Sequence, residues 1–136
     1  MSNKAERLKQ FHSEKDVKKE VKKLLDREDW FWWMPPANAF GKSGIADFHA
    51  MKDSVFMAIE TKFDKNPPTA QQIGFLNSIR AKGGFAFVVD EKRLDFLERF
   101  LLNYAESVRC VQRKREIPPE VGAEMINMIA EMSREL

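Results

Sequence analysis

Residues 44–62 read GIADFHAMKDSVFMAIETK, and the fold turns on how this stretch pairs with itself. Two apolar runs flank a short polar break, Lys52-Asp53-Ser54. Asp47 stands near the start of the first run, and Glu60-Thr61-Lys62 closes the second. Such runs around a turn-forming break predict a β-hairpin. If the turn is Asp53-Ser54, residue 52 pairs with 55 and Asp47 lies opposite Glu60; a slip of one residue moves Asp47 to the neighbouring rung. Directly opposed residues have Cβ atoms roughly 4.5–5.5 Å apart. Glu60 and Lys62 are two apart and share a face of the strand. The hairpin therefore predicts two carboxylates and one ammonium converging at a sheet edge.

Outward from the hairpin, the N-terminal side reads as a helix and a strand. Ser13 is placed as an N-cap, with Glu14 and Asp16 in the first turn, where negative charge suits the helix dipole. Val17, Val21, Leu24 and Leu25 recur at helical spacing and form one apolar stripe. Glu14 lies on or beside that stripe, an odd place for an acid unless it faces something, whereas Glu20 lies further from its centre. Residues 30–34, Trp-Phe-Trp-Trp-Met, are strongly β-prone and predict a first strand. Trp30, Trp32 and Trp33 do not all fit one face of a period-two strand, so at least one belongs on the other face or at an interface. Pro35-Pro36 ends the strand, and a loop over residues 37–44 follows. Its single lysine, Lys42, lacks the glycine spacing of a phosphate-binding P-loop.

On the C-terminal side, Thr69-Ala70-Gln71-Gln72 matches a capping box, with Thr69 as N-cap and Gln72 three residues on. The helix it opens turns Ile73, Leu76 and Ile79 inward, with Phe75 beside them, and stops at Gly83-Gly84. Phe85-Ala86-Phe87-Val88-Val89 reads as a short buried strand. A helix from about Leu94 to Glu106 is expected to pack Leu94, Leu97, Leu101 and either Leu102 or Tyr104. A basic stretch with Arg109, Arg113, Lys114 and Arg115 leads to Pro119 in the first turn of a last helix bearing Val121, Met125, Met128, Ile129 and Met132. The predicted class is α/β, with a mixed central sheet flanked by helices, a βαβ crossover between its last two strands, and an extra C-terminal helix. The predicted organisation is a flexible N-terminus (1–12), a core domain (13–106), and a basic linker with C-terminal helix (107–136) packed on the core or in a dimer interface.

The chain has 136 residues, 43% apolar and 32% charged, which fits one soluble globular domain. No apolar run approaches the roughly 20 residues of a membrane span, and the N-terminus carries no apolar signal core. Cys110 is the sole cysteine, which excludes an intramolecular disulfide and a cysteine-rich zinc site and fits a reducing, cytoplasmic setting. With only His12 and His49 besides, any metal site must rest on oxygen ligands. A formal net charge of +2 does not announce nucleic-acid binding, although five lysines crowd the first helix.

Asp47 and Glu60 on paired strands are hard oxygen donors of the kind that hold Mg²⁺ or Mn²⁺. Thr61 lies between two functional residues and offers its backbone carbonyl. Lys62 can orient a water or neutralise developing charge. Taken alone, Glu60-Thr61-Lys62 is more often a solvent-facing strand end. What shifts the reading is its combination with Glu14, the Gly44-x-x-Asp47 spacing and Gln72.

In this combination the chain resembles the PD-(D/E)XK nuclease superfamily, and within it the virus-type replication-repair nuclease (VRR-NUC) family, including its small phage members akin to Holliday junction resolvases. The resemblance rests on Ser13-Glu14 with Val17, Val21 and Leu25; on Gly44-Ile45-Ala46-Asp47; on Ala58-Ile59-Glu60-Thr61-Lys62; and on Thr69-Ala70-Gln71-Gln72 followed by Gly83. It covers about residues 13–106. It implies metal-dependent DNA cleavage, with Asp47, Glu60 and the Thr61 carbonyl on Mg²⁺ or Mn²⁺ and Lys62 positioning the attacking water. Glu14, with Glu20 as rival, would reach the metal's outer shell. Gln72, which competes for the role of helix cap and has Gln71 as neighbour, would position the site or touch the scissile strand. Ala46 stands where relatives often carry proline, a backbone preference rather than a ligand. Lys18, Lys22, Lys42 and Lys65 are candidate phosphate contacts, and residues 35–43 a candidate DNA-facing loop. A homodimer acting on branched DNA is the expected working form. The alternatives are a flap or unselective nuclease, a non-catalytic DNA-binding module on the same fold, and a protein-interaction domain using the aromatic run and last helix.

Overall fold

The computed structural model describes residues 10–36 and 41–134. The expectation of a flexible segment over residues 1–12 thus falls outside the described residues for 1–9, as does the central part, 37–40, of the loop expected to face DNA. The first helix, α1, spans Glu14–Arg27. Ser13 takes the N-cap position with extended backbone, but its hydroxyl makes no capping bond. Instead Asp16 accepts the His12 N–H at 2.8 Å, and the Asp16 N–H donates to the Ser13 carbonyl. Val17, Val21, Leu24 and Leu25 are all buried, as the stripe requires.

α1 ends in a Schellman turn. Asp29 adopts φ 60° and the Trp30 N–H donates to the Leu25 carbonyl at 2.9 Å. This corrects the expected strand over residues 30–34. Trp30 is part of the helix stop, buried at 4% exposure, and strand β1 is only Phe31–Trp33. Local β-propensity lost to a hydrogen-bonded helix terminus that buries Trp30 beside Leu25.

The hairpin forms as the polar break predicts. Strand β2, Phe48–Lys52, pairs antiparallel with β3, Val55–Thr61, and Lys52 pairs with Val55. Asp53 and Ser54 both have positive φ, 51° and 67°, the geometry of a type I′ turn matched to strand twist. β1 adds antiparallel to β2. The next helix, α2, spans Ala70–Ala81, and β4, Phe85–Val89, pairs parallel to β3, so the sheet order is β1-β2-β3-β4. α2 is thus the crossover of a βαβ unit in a mixed α/β sheet.

Register and alternation assign the two faces. Trp32, Phe48, Ala50, Met57, Ile59 and Thr61 share the α1 face, where the Trp32 indole N–H donates to Asp26 at 2.7 Å. Trp33, His49, Phe56, Ala58 and Glu60 share the α2 face, where the His49 ring stacks on Phe75. Within α2 only Leu76 is fully buried, while Ile73, Phe75 and Ile79 are half-buried. α2 stops at a second Schellman turn, with Gly83 at φ 89° and the Gly84 N–H donating to the Ile79 carbonyl at 3.0 Å.

The chain divides into two compact units, one ending at Leu94 and one beginning at Asp95. The second carries α3, Leu94–Gln112, and α4, Pro119–Arg134, joined by an Arg99–Glu124 ion pair at 3.5 Å. α3 runs past the expected end at Glu106, so Arg109 is helical rather than part of a linker. No glycine or proline interrupts residues 94–112, and Cys110 extends the buried stripe by another turn. The Arg115 N–H closes that helix on the Cys110 carbonyl at 2.8 Å, with Lys114 at φ 54°. Tyr104 is buried and Leu102 is 45% exposed, which decides between the two. Met128 and Met132 of α4 are buried, but Ile129 is 42% exposed. Among the described residues no helix is long and apolar enough to cross a membrane.

Candidate metal centre

The antiparallel register extended one rung beyond Phe48–Ile59 sets Asp47 opposite Glu60, and the two residues touch there. The Asp47 backbone N–H donates to Glu60 Oε2 at 3.2 Å. Asp47 stands just before β2 begins, which frees its carboxylate to reach round the sheet end. Its Oδ2 accepts the Thr61 N–H at 3.0 Å and the Thr61 hydroxyl at 2.6 Å. α1 enters from the other face: the Thr61 hydroxyl lies 3.4 Å from Glu14 Oε1. Glu14, Asp47 and Glu60 each bring a carboxylate oxygen within 4.8 Å of the others. Three carboxylates so close form a hard, anionic donor set that could hold a metal ion. Glu20 takes no part, its carboxylate paired to Lys23 at 3.2 Å.

Gln72 reaches the same point from α2. Its side-chain amide donates to Glu60 Oε1 at 2.8 Å. The other end of the same amide accepts the Thr69 N–H at 2.8 Å, while the Gln72 N–H donates to the Thr69 hydroxyl. The capping box and the site contact are therefore one arrangement and not rivals. The Lys62 Nζ lies 3.6 Å from Glu60 Oε1, and the Lys62 N–H is held by the Val89 carbonyl at 2.9 Å. Strand alternation and the parallel β4 neighbour together fix this lysine beside the acid.

Glu60, Thr61 and Lys62 are the only buried polar or charged residues among those described. Burial raises the Glu60 carboxyl to about 7, and the nearby Asp47 charge pushes the same way. Lys62 and the Asp47 N–H pull downward without cancelling the rise. A buried acid next to two further carboxylates is a proton-loaded site that a divalent cation would relieve.

Of the basic residues expected to meet DNA, Lys18 is in the cluster, 3.7 Å from both Glu14 and Asp47. Lys22 is a turn further along α1 and half-buried, while Lys42 and Lys65 are exposed. The chain matches no protein-family model and no curated protein. The site rests on its own geometry.

Three contacts go beyond the roles that the sequence assigns to these residues. The Thr61 hydroxyl holds Asp47 at 2.6 Å and lies 3.4 Å from Glu14, beyond the role expected of the Thr61 carbonyl. Lys18 contacts the acids directly, although its i,i+4 spacing from Glu14 signalled as much. Gly44, at φ 73°, lies so close to α2 that a Cβ there would sit 2.4 Å from the Gln71 carbonyl carbon and 2.7 Å from the Gln72 nitrogen. The absent side chain lets the hairpin entrance abut the helix start, placing Asp47 and Gln72 around Glu60.

Proposed function

We propose that this chain is a Mg²⁺- or Mn²⁺-dependent endodeoxyribonuclease on a PD-(D/E)XK core of the VRR-NUC type, selective for branched DNA such as a four-way junction. The observation that carries the reading is the convergence of Glu14, Asp47 and Glu60 within 4.8 Å, with Lys62 3.6 Å from Glu60. The resemblance in sequence supports the same assignment residue by residue.

In this reading Asp47, Glu60 and the Thr61 carbonyl would hold the cation, with Glu14 beside them. Bound there, it would supply Lewis-acid chemistry, acidifying a water and screening charge on a phosphoryl oxygen. The protein's own groups do the rest. Thr61 fixes Asp47 through two hydrogen bonds, and Gln72 fixes the Glu60 rotamer. Lys62 orients the attacking water and compensates negative charge as the phosphodiester is attacked. Lys18, with Lys22, Lys42 and Lys65, contributes phosphate contacts that weaken with salt. Paired incisions in the two strands of a junction require two such sites, which a symmetric dimer supplies.

The deciding experiment compares cleavage of a labelled four-way junction with a linear duplex of the same sequence, in Mg²⁺ or Mn²⁺, beside Lys62→Ala. Symmetric cuts confined to the junction and lost in the variant are expected. Cuts in both substrates would leave a nuclease without junction selectivity. Binding without any cleavage would remove the catalytic reading and leave a DNA-binding module.

A further inference from the structure

A cavity of about 560 Å³ opens on the α2 face of the sheet, beyond the acid cluster. Phe56 and Phe75 give it aromatic walls, Gly74 and Gly84 give it room, and Lys42 and Lys82 lie at its lining with no acidic residue among the lining side chains. Its size is in the range of small-molecule and nucleotide pockets. Neither lysine has an ion-pair partner among the described residues, and both are exposed.

The aromatic walls are held in place. The His49 ring stacks on Phe75 at 5.6 Å and 7° and meets Phe56 edge-on at 5.3 Å. Trp33 packs on His49 and Phe56 in turn, and leads out to Phe31, which is 72% exposed. A chain of aromatic contacts therefore runs from the cavity to Phe31 at the surface.

The cavity is also tied to the acid cluster. Gln72 and Phe75 are three residues apart on α2, roughly 5 Å along its axis. Phe56 and Glu60 lie on the same face of β3, roughly 13 Å apart. Lys42 and Ser43 directly precede Gly44, which abuts Gln71 and Gln72. A strand whose backbone crosses the cluster would bring its next nucleotides to the cavity.

We infer that this cavity receives an unpaired nucleotide of the DNA strand engaged at the acid cluster, the base stacking on Phe75 and Phe56 and the phosphate meeting Lys42 and Lys82. The inference rests on the nuclease reading and narrows it: among branched DNAs it favours those that offer unpaired nucleotides next to a duplex, such as a flap or a junction with an opened arm, over a fully paired junction. Flat aromatic walls fit any base face, and flanking cations without acids fit a polyanion rather than an apolar peptide.

The test measures affinity in EDTA for a blunt duplex and for duplexes carrying a short thymidine tail on the 5′ or the 3′ end. Wild type is expected to prefer one tailed duplex by about tenfold. Gly74 lines the cavity and a Cβ there meets nothing within 4 Å among the described residues, so Gly74→Phe is the variant chosen to fill it and Gly74→Ala its control. Gly74→Phe is expected to abolish the preference while blunt-duplex affinity stays, and Gly74→Ala to keep it. Lys42→Glu with Lys82→Glu should weaken tailed binding more than blunt binding, whether or not Gly74→Phe folds. Equal affinity for tailed and blunt duplexes in wild type, or a preference that survives both variants, overturns the inference. The same proteins in Mn²⁺ separate the two readings. Cleavage with no tail preference removes the cavity's role and keeps the nuclease. Tail preference lost in Gly74→Phe, with no cleavage by wild type, keeps the cavity and removes the nuclease.

Discussion

Gln72 donates one hydrogen bond to Glu60 at 2.8 Å and accepts another from the Thr69 N–H at 2.8 Å, so a single amide both starts α2 and grips the buried acid. The two functions separate by substitution. Thr69→Ala removes the hydroxyl that caps the helix and should cost about 1 kcal/mol in urea unfolding while leaving most cleavage intact. Gln72→Glu keeps a side chain that completes a capping box, but it replaces the donor facing Glu60 with another carboxylate. It should keep stability at acidic pH and lower cleavage on the order of tenfold or more. Equal losses of stability and activity in both variants would mean that Gln72 acts on the site only by holding the helix.

Gly44 and Gly41 have nearly the same φ, 73° and 71°, but not the same surroundings. Alanine at Gly41 meets nothing within 4 Å among the described residues and should cost only the left-handed strain, about 1 kcal/mol. Alanine at Gly44 adds a clash with the rigid backbone of α2 and should cost roughly 3 kcal/mol or more. The urea midpoints of the two variants measure the difference. Similar midpoints would show that the hairpin entrance moves away from α2 with little resistance.

The hairpin is legible because Lys52-Asp53-Ser54 is the polar break between the two apolar runs, but the sequence leaves a one-residue slip open, and the Lys52–Val55 pair of the folded chain sets Asp47 against Glu60. Glu14 was readable from its place beside the α1 stripe, although only the structure excludes Glu20. Trp30 was misplaced because a Schellman turn depends on a hydrogen bond to Leu25, which composition does not encode. The Thr61 hydroxyl was missed because alternation sends it to the face opposite Glu60, and only the end of β2 at Phe48 lets Asp47 reach it. The cavity is not legible in the sequence: Gly84 reads only as part of the helix stop, and only the folded chain brings it against Phe56 and leaves open space beside Gly74.

Glu60 makes the metal-free protein sensitive to pH in an unusual direction. Its carboxyl rises from an ordinary 4.5 to about 7 in the folded chain, so between these values the folded state binds more protons than the unfolded state. Stability must then fall as pH rises through this window, by on the order of 3 kcal/mol once Glu60 is fully ionised. Thermal unfolding in EDTA from pH 4.5 to 8 should show this decline after comparison with Glu60→Gln, which lacks the titration. Saturating Mn²⁺ should flatten the difference by stabilising the ionised form. A difference curve independent of pH, with and without Mn²⁺, would rule out a proton-loaded Glu60.

Lys18 sits 3.7 Å from Glu14 and from Asp47, where it neutralises part of the carboxylate cluster. Both pairs are partly exposed, so Lys18→Met should cost the metal-free protein about 1 kcal/mol or less. The same ammonium repels an incoming cation. Its loss should therefore lower the Mn²⁺ concentration at the midpoint of a thermal-shift titration several-fold, about the effect of one unit charge at this distance in a partly solvated site. If Lys18 also meets a DNA phosphate, the slope of log affinity against log salt should drop by about one in the variant. The two readouts are independent. A shifted Mn²⁺ midpoint with an unchanged salt slope assigns Lys18 to the acids alone. An unshifted midpoint would mean that its charge does not reach the metal position, and the cluster's cation would then lie on the Lys62 side of Glu60.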